Sequence, residues 1–164
     1  MTEEDPHHVA GTGRKETPEE QADRNFNELL QELRVSQTGV QILFAFLLTL
    51  AFQSSFAKVT TPQLAVYVTT LLLCACATAL LIGPVALHRR LFRQGKKRQV
   101  VETASKLARG GLLMLFLAIC GAILFILDFI LDRTLAAVLA GGVTVVFLLL
   151  WYVLPWRLSR DSNQ

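Results

Sequence analysis

The sequence predicts an all-α, polytopic membrane protein: an antiparallel bundle of four transmembrane helices preceded by a cytoplasmic amphipathic helix. Three observations carry this. Four runs contain no Asp, Glu, Lys, Arg or His: Val35 to Ala57 (23 residues), Val59 to Leu87 (29), Gly110 to Leu127 (18) and Thr134 to Trp156 (23). A bilayer core about 30 Å thick needs roughly 20 apolar residues at about 1.5 Å each, so every run is long enough to cross it. Lys and Arg are also distributed unevenly between the connections, and nine of the thirteen acids precede residue 35.

Composition agrees. Of 164 residues, 52% are hydrophobic and 18% charged, against roughly 45–50% and about 25% in soluble domains. Mean hydropathy is +0.45 and the formal net charge is +3. A soluble enzyme domain and a chain disordered throughout are excluded. So is a secreted disulfide scaffold, because Cys74, Cys76 and Cys120 all lie inside apolar stretches. No cleaved signal peptide is expected, since the first 34 residues are polar, and no lipidation signal is read.

The chain divides into a disordered cytoplasmic tail (1–16), an amphipathic cytoplasmic helix (17–36), a four-helix transmembrane domain (37–156) and a cytoplasmic tail (157–164). Within the tail, the adjacent His7 and His8 read as solvated side chains. Thr17-Pro18-Glu19-Glu20 is a capping box with proline at the first helical position. The helix it opens places Phe26, Leu29, Leu30 and Leu33 at i, i+3, i+4 and i+7, one apolar stripe. Three surfaces could take that stripe: the membrane surface, the chain's own basic connection, or a partner protein. From Glu16 to Arg34 there are six acids and two bases, which anionic lipid would repel. From Arg89 to Arg109 there are eight bases and one acid, a complementary segment within the same chain.

The spans are placed at about 38–57, 62–87, 110–131 and 135–156. Gly39 marks a bend before the first, and Gln53, Ser54 and Ser55 mark its far end. Thr61-Pro62 starts the second, and Gly83-Pro84 kinks or ends it. The basic loop 88–109 contains Arg89, Arg90, Arg93, Lys96, Lys97 and Arg98, which would contact anionic lipid or the acidic helix. Val100, Val101, Ala104 and Leu107 have helical spacing, with Glu102 and Lys106 as an i,i+4 pair, so the third helix extends beyond the membrane. Trp151, Tyr152 and Trp156 sit at headgroup level at the end of the fourth span. With both termini cytoplasmic, 14 Lys and Arg lie inside and 2 outside, the positive-inside pattern.

Polar groups within the spans are the candidate site. Asp128 lies near the outer end of the third helix, either an interfacial acid beside Arg133 or a proton or cation site. Gln41, one turn into the first span, is either a helix-to-helix amide contact or part of that site. Small residues spaced by four (Ala75 and Ala79, Ala118 and Ala122, Ala137 and Gly141) mark where helices can approach. No catalytic set, metal site, cofactor motif or nucleic-acid module is read. The expected partners are the bilayer itself and a second copy or another membrane protein.

Two stretches carry a resemblance. Arg24-Asn25-Phe26-Asn27-Glu28-Leu29-Leu30-Gln31-Glu32-Leu33-Arg34-Val35, with Gln37 to Leu48 after it, resembles a signature of small actinobacterial membrane proteins classed as a family of unknown function. His88-Arg89 and Leu91-Phe92-Arg93 resemble that group too. The likeness covers about residues 20–156 and implies a four-helix protein of the bacterial inner (plasma) membrane. Some members carry a sodium:proton antiporter label, and the family supplies no catalytic or binding residues to transfer. Two functions follow as expectations: a non-enzymatic accessory protein that docks through its acidic helix and basic loop, or a homo-oligomeric proton- or cation-coupled transporter using Asp128.

Overall fold

Four long helices account for nearly all of the computed structural model, which describes residues 18–91 and 97–153. They are α1 (Pro18–Leu50), α2 (Thr61–Leu91), α3 (Lys97–Ile130) and α4 (Arg133–Leu148). A 3-10 helix, Ser54–Lys58, joins α1 to α2, and a π-helical turn, Leu149–Val153, continues α4. All four helices are long and apolar enough to cross a membrane, over Glu28–Leu50, Thr61–Ala86, Val101–Ile130 and Arg133–Trp151.

Several boundaries differ from the sequence expectation. The amphipathic segment and the first span form one unbroken helix that runs through Gly39. That helix ends at Leu50, seven residues short of the expected 57. Thr49 and Leu50 carbonyls accept from Phe52 and Gln53 N–H at 3.1 Å, turning the chain where the polar Gln53-Ser54-Ser55 run begins. α2 continues through Pro84 to Leu91, and α3 begins at Lys97, so most of the expected loop 88–109 is helical. At 34 residues, α3 is about 51 Å long, well beyond a hydrocarbon core of about 30 Å. α4 starts at Arg133 because Asp132 caps it, accepting from the Leu135 N–H at 3.0 Å. The tail, Thr17 and residues 154–164 lie outside the described residues.

The most extensive interface joins α2 to α3. Its buried positions repeat at alternating steps of three and four. On α2 they are Tyr67, Thr70, Cys74, Ala77, Leu81 and Pro84; on α3 they are Ala108, Gly111, Leu115, Ala118, Ala122 and Phe125. A 3.5-residue period keeps one seam in contact along two supercoiled helices. Small residues let the backbones come close, which is what association in lipid rewards. Ascending positions on α2 meet descending ones on α3: a Cβ added at Gly121 would strike Thr70, one at Gly111 would strike Leu81, and one at Gly83 would press on Leu107.

α1 lies across both partners, burying Leu33, Val40 and Leu47 at seven-residue intervals. α4 packs on α3 and buries Ala136 and Ala140. These precede by one residue the expected pair Ala137 and Gly141, which are exposed; Ala75 and Ala79 are exposed as well. In helices apolar all round, no polar face distinguishes the packed side from the lipid side. The structure is therefore a three-helix core, α1 to α3, with α4 applied to the outside of α3.

The two classes of glycine separate in a stability measurement. Gly111→Ala places a Cβ 2.8 Å from the Leu81 side chain and 3.2 Å from its backbone nitrogen. It is expected to cost about 1–3 kcal/mol by overpacking. Gly141→Ala meets nothing within 4 Å and is expected to gain up to about 1 kcal/mol from helix propensity. Denaturant titration of the detergent-solubilised chain, followed by circular dichroism, reads both.

Candidate functional site

Inside lipid, backbone carbonyls with no intrahelical donor must find one within the protein. Three side chains donate between helices, each to a backbone carbonyl of a neighbour. The Gln37 amide of α1 donates to Leu81 O at 2.7 Å, in the same stretch of α2 as Pro84. The carbonyl that loses its intrahelical donor to Pro84 is that of Leu80, four residues before it.

The Tyr67 hydroxyl of α2 donates to Leu47 O at 2.9 Å, a buried bond to one of the last four carbonyls of α1. The ring is held edge-on by Phe56 of the 3-10 helix (centroids 4.9 Å apart) and tilted against Phe125 of α3 (5.5 Å). Tyr67 thereby fixes the end of α1, the start of α2 and the end of α3 relative to one another.

Gln63 uses both ends of its amide. Its Oε1 accepts from the Thr60 N–H at 3.0 Å, the second half of a capping box at the start of α2. Its Nε2 donates to Asp128 O at 2.7 Å, tying that start to the last turns of α3. Thr49, Thr70, Thr78 and Thr144 return their hydroxyls to carbonyls four residues back on their own helices, at 2.7–2.9 Å. Among the described residues, no buried side-chain nitrogen or oxygen lacks a hydrogen-bond partner.

The anticipated site residues are not brought together. Asp128 is half-buried two residues before the end of α3, and its backbone carbonyl is the group Gln63 uses. Gln41 is exposed on α1, while Gln37, one turn earlier, reaches a neighbouring helix. Interpolating between the Gln37–Leu81 and Leu47–Tyr67 contacts puts Gln41 level with Ala75. Asp128 is level with Gln63, so the two lie about 18 Å apart along the bundle.

The apolar stripe of α1 has a clear destination. Leu29 and Leu30 pack with Val101 against the fully buried Ala104 of α3, and Leu33 enters the main core. Glu28 and Glu32 stay exposed, with Glu28 3.9 Å from Arg24. The side chains of Phe26, Arg89, Arg90, Lys97 and Arg98, and residues Arg93 and Lys96 entirely, lie outside the described residues. Cys74 is buried and Cys76 exposed, on different faces of α2. Among the described residues, no three of His, Cys, Asp and Glu are grouped to hold a metal ion.

Tyr67, Gln63 and the α2 side of the α2–α3 seam are the parts that reading the sequence missed, whereas the expected pair Ala118 and Ala122 on α3 is buried. The signals were present: a tyrosine inside an uncharged run, a Thr-x-x-Gln pattern at residues 60–63, and small residues at heptad spacing.

Comparison with protein families matches residues 15–155 to a family of unknown function, DUF6328. The chain belongs to this family. That match spans all four helices and the α1 segment before the first apolar run. Searches of curated proteins and of solved structures gave no match.

Gln63→Leu removes the donor to Asp128 O and the acceptor for Thr60 N–H, and is expected to cost about 1–2 kcal/mol. Asp128→Asn keeps the carbonyl that Gln63 uses and is expected to stay within about 0.5 kcal/mol of the parent. Thermal unfolding in one detergent compares the two directly.

Proposed function

We propose that this DUF6328 member is a non-enzymatic, multi-pass accessory protein that binds another membrane protein through the charged surface formed by the first half of α1 and the basic segment between α2 and α3. One observation carries the reading. Leu29 and Leu30 already pack on α3 and Leu33 is buried in the main core, so the surface this part of α1 presents outward carries the exposed Glu28 and Glu32. The contact with a partner is then made by charge and hydrogen bonding. The membrane surface is a poor alternative for a helix whose apolar face is occupied and whose free face is acidic.

The proposed arrangement has both termini in the cytoplasm of a bacterial plasma membrane, with helices alternating in direction. The Lys and Arg asymmetry of 14 against 2 supports the orientation. Contacts between ascending positions on one helix and descending positions on the next support the alternation. A transporter built on Asp128 has less support, because that residue lies near a helix end and about 18 Å along the axis from Gln41.

The test is the detergent-corrected native mass of the gently extracted protein, with its polypeptides identified. A foreign subunit in fixed ratio is expected, lost in the double variant Glu28→Lys, Glu32→Lys while the helical content is retained. A bare monomer, or a complex indifferent to the double variant, would overturn the docking reading. A homodimer whose ion flux in vesicles disappears in Asp128→Asn would replace it with the transporter.

A further inference from the structure

α1 and α4 flank α3 on different sides, and near the start of the third apolar run they leave a cleft of about 680 Å³. It is lined by Ser36 of α1, by Arg109, Gly110, Leu112 and Leu113 of α3, and by Trp151 of the π-helical turn. The volume falls within the range of about 300–1,000 Å³ typical of small-molecule sites.

The lining is amphiphilic along its length. Arg109 is the last charge before the 18 uncharged residues from Gly110 to Leu127, so the cleft has a cationic rim and an apolar floor. The Arg109 Nε donates only to Ser105 O on its own helix, at a long 3.4 Å. Among the described residues no carboxylate forms an ion pair with it. The rest of its guanidinium fork, suited to bidentate recognition of a phosphate, is uncommitted by that bond.

The opposite wall is built. Trp151 stands with its ring centroid 5.7 Å from Phe147 and 6.3 Å from Phe116, in a widened turn of the kind that redirects side chains at functional sites. Tryptophan at this depth is the residue that meets the junction of headgroup and acyl chain.

We propose that this cleft binds one anionic glycerophospholipid, its phosphate on the Arg109 guanidinium and an acyl chain along Leu112, Leu113 and Trp151. Charge complementarity at the rim selects the headgroup, and basic pockets between membrane helices hold such headgroups elsewhere. Arg109 closes the basic stretch that the docking reading also uses, but that reading is tested at Glu28 and Glu32 and this one at Arg109, so each can fail without the other.

Trp151 is the reporter. The full chain carrying Trp156→Phe is reconstituted into phosphatidylcholine vesicles that contain, at one minor mole fraction, acyl-brominated phosphatidylglycerol or acyl-brominated phosphatidylcholine. Quenching of Trp151 is expected to show about a fivefold preference for the anionic lipid, the factor one basic side chain supplies near an anionic surface. That preference is expected to vanish in Arg109→Gln. Equal quenching by the two lipids in the parent, an experiment that needs no change at Arg109, would overturn the proposal. So would a preference that survives Arg109→Gln, which would assign it to the basic segment at large. Relief of quenching by inorganic phosphate would make the occupant a free anion and would also overturn it.

Discussion

Close approach of the α2 and α3 backbones is the constraint on which the rest of the fold depends. In a bilayer the lipid chains are as apolar as leucine, so helices gain little by hiding apolar surface from one another. What holds them is dense packing, and density requires side chains that do not keep the backbones apart. Gly111 and Gly121 face Leu81 and Thr70 with no room for a methyl group, and Cys74, Ala77, Ala108 and Ala118 add small side chains to the same seam. With α2 and α3 locked in one register, α1 has a groove to lie in, and α3 retains a second face for α4.

Polar chemistry then secures the ends. Each inter-helix bond runs from a side-chain amide or hydroxyl to a backbone carbonyl of a neighbouring helix: within α2 near Pro84, at the end of α1, and in the last turns of α3. Amides and hydroxyls within apolar helices invite a search for a transport pathway. Here Gln37, Gln63 and Tyr67 serve the backbone, and Asp128 takes part through its peptide group. Buried polar groups that are fully satisfied in this way specify one arrangement of helices among several that packing alone would permit.

Much of this was legible from the residues. The four runs without charge announced four membrane-length helices. The segment expected as a separate helix before the first is the opening part of α1 itself, with Leu29, Leu30 and Leu33 packed within the bundle. What the runs could not disclose was which side of each helix packs, because lipid and protein interior have the same polarity. Ala75 and Ala79 looked as suitable as Cys74 and Ala77, and only the seam shows that the second pair is buried. Helix ends were misplaced where local capping overrules hydropathy. Asp132 starts α4 earlier than its apolar run, and the turn at Thr49 to Gln53 stops α1 earlier than its own. Gln41 and Gln37 are one turn apart on the same apolar background, and only the packing of α1 on α2 shows that Gln37 is the one that reaches a neighbouring helix.

The connection between α3 and α4 consists of Leu131 and Asp132 alone. During synthesis a linker of that length cannot let one helix enter the bilayer while the other waits in water. The two partition together as a helical hairpin, and in the proposed orientation the apex and the adjoining Arg133 are its polar cargo. Asp132 lightens that cargo by having its carboxylate bonded to the Leu135 N–H within the same hairpin. The helix that looks least integrated in the finished fold is therefore the one whose insertion is most tightly tied to that of its neighbour.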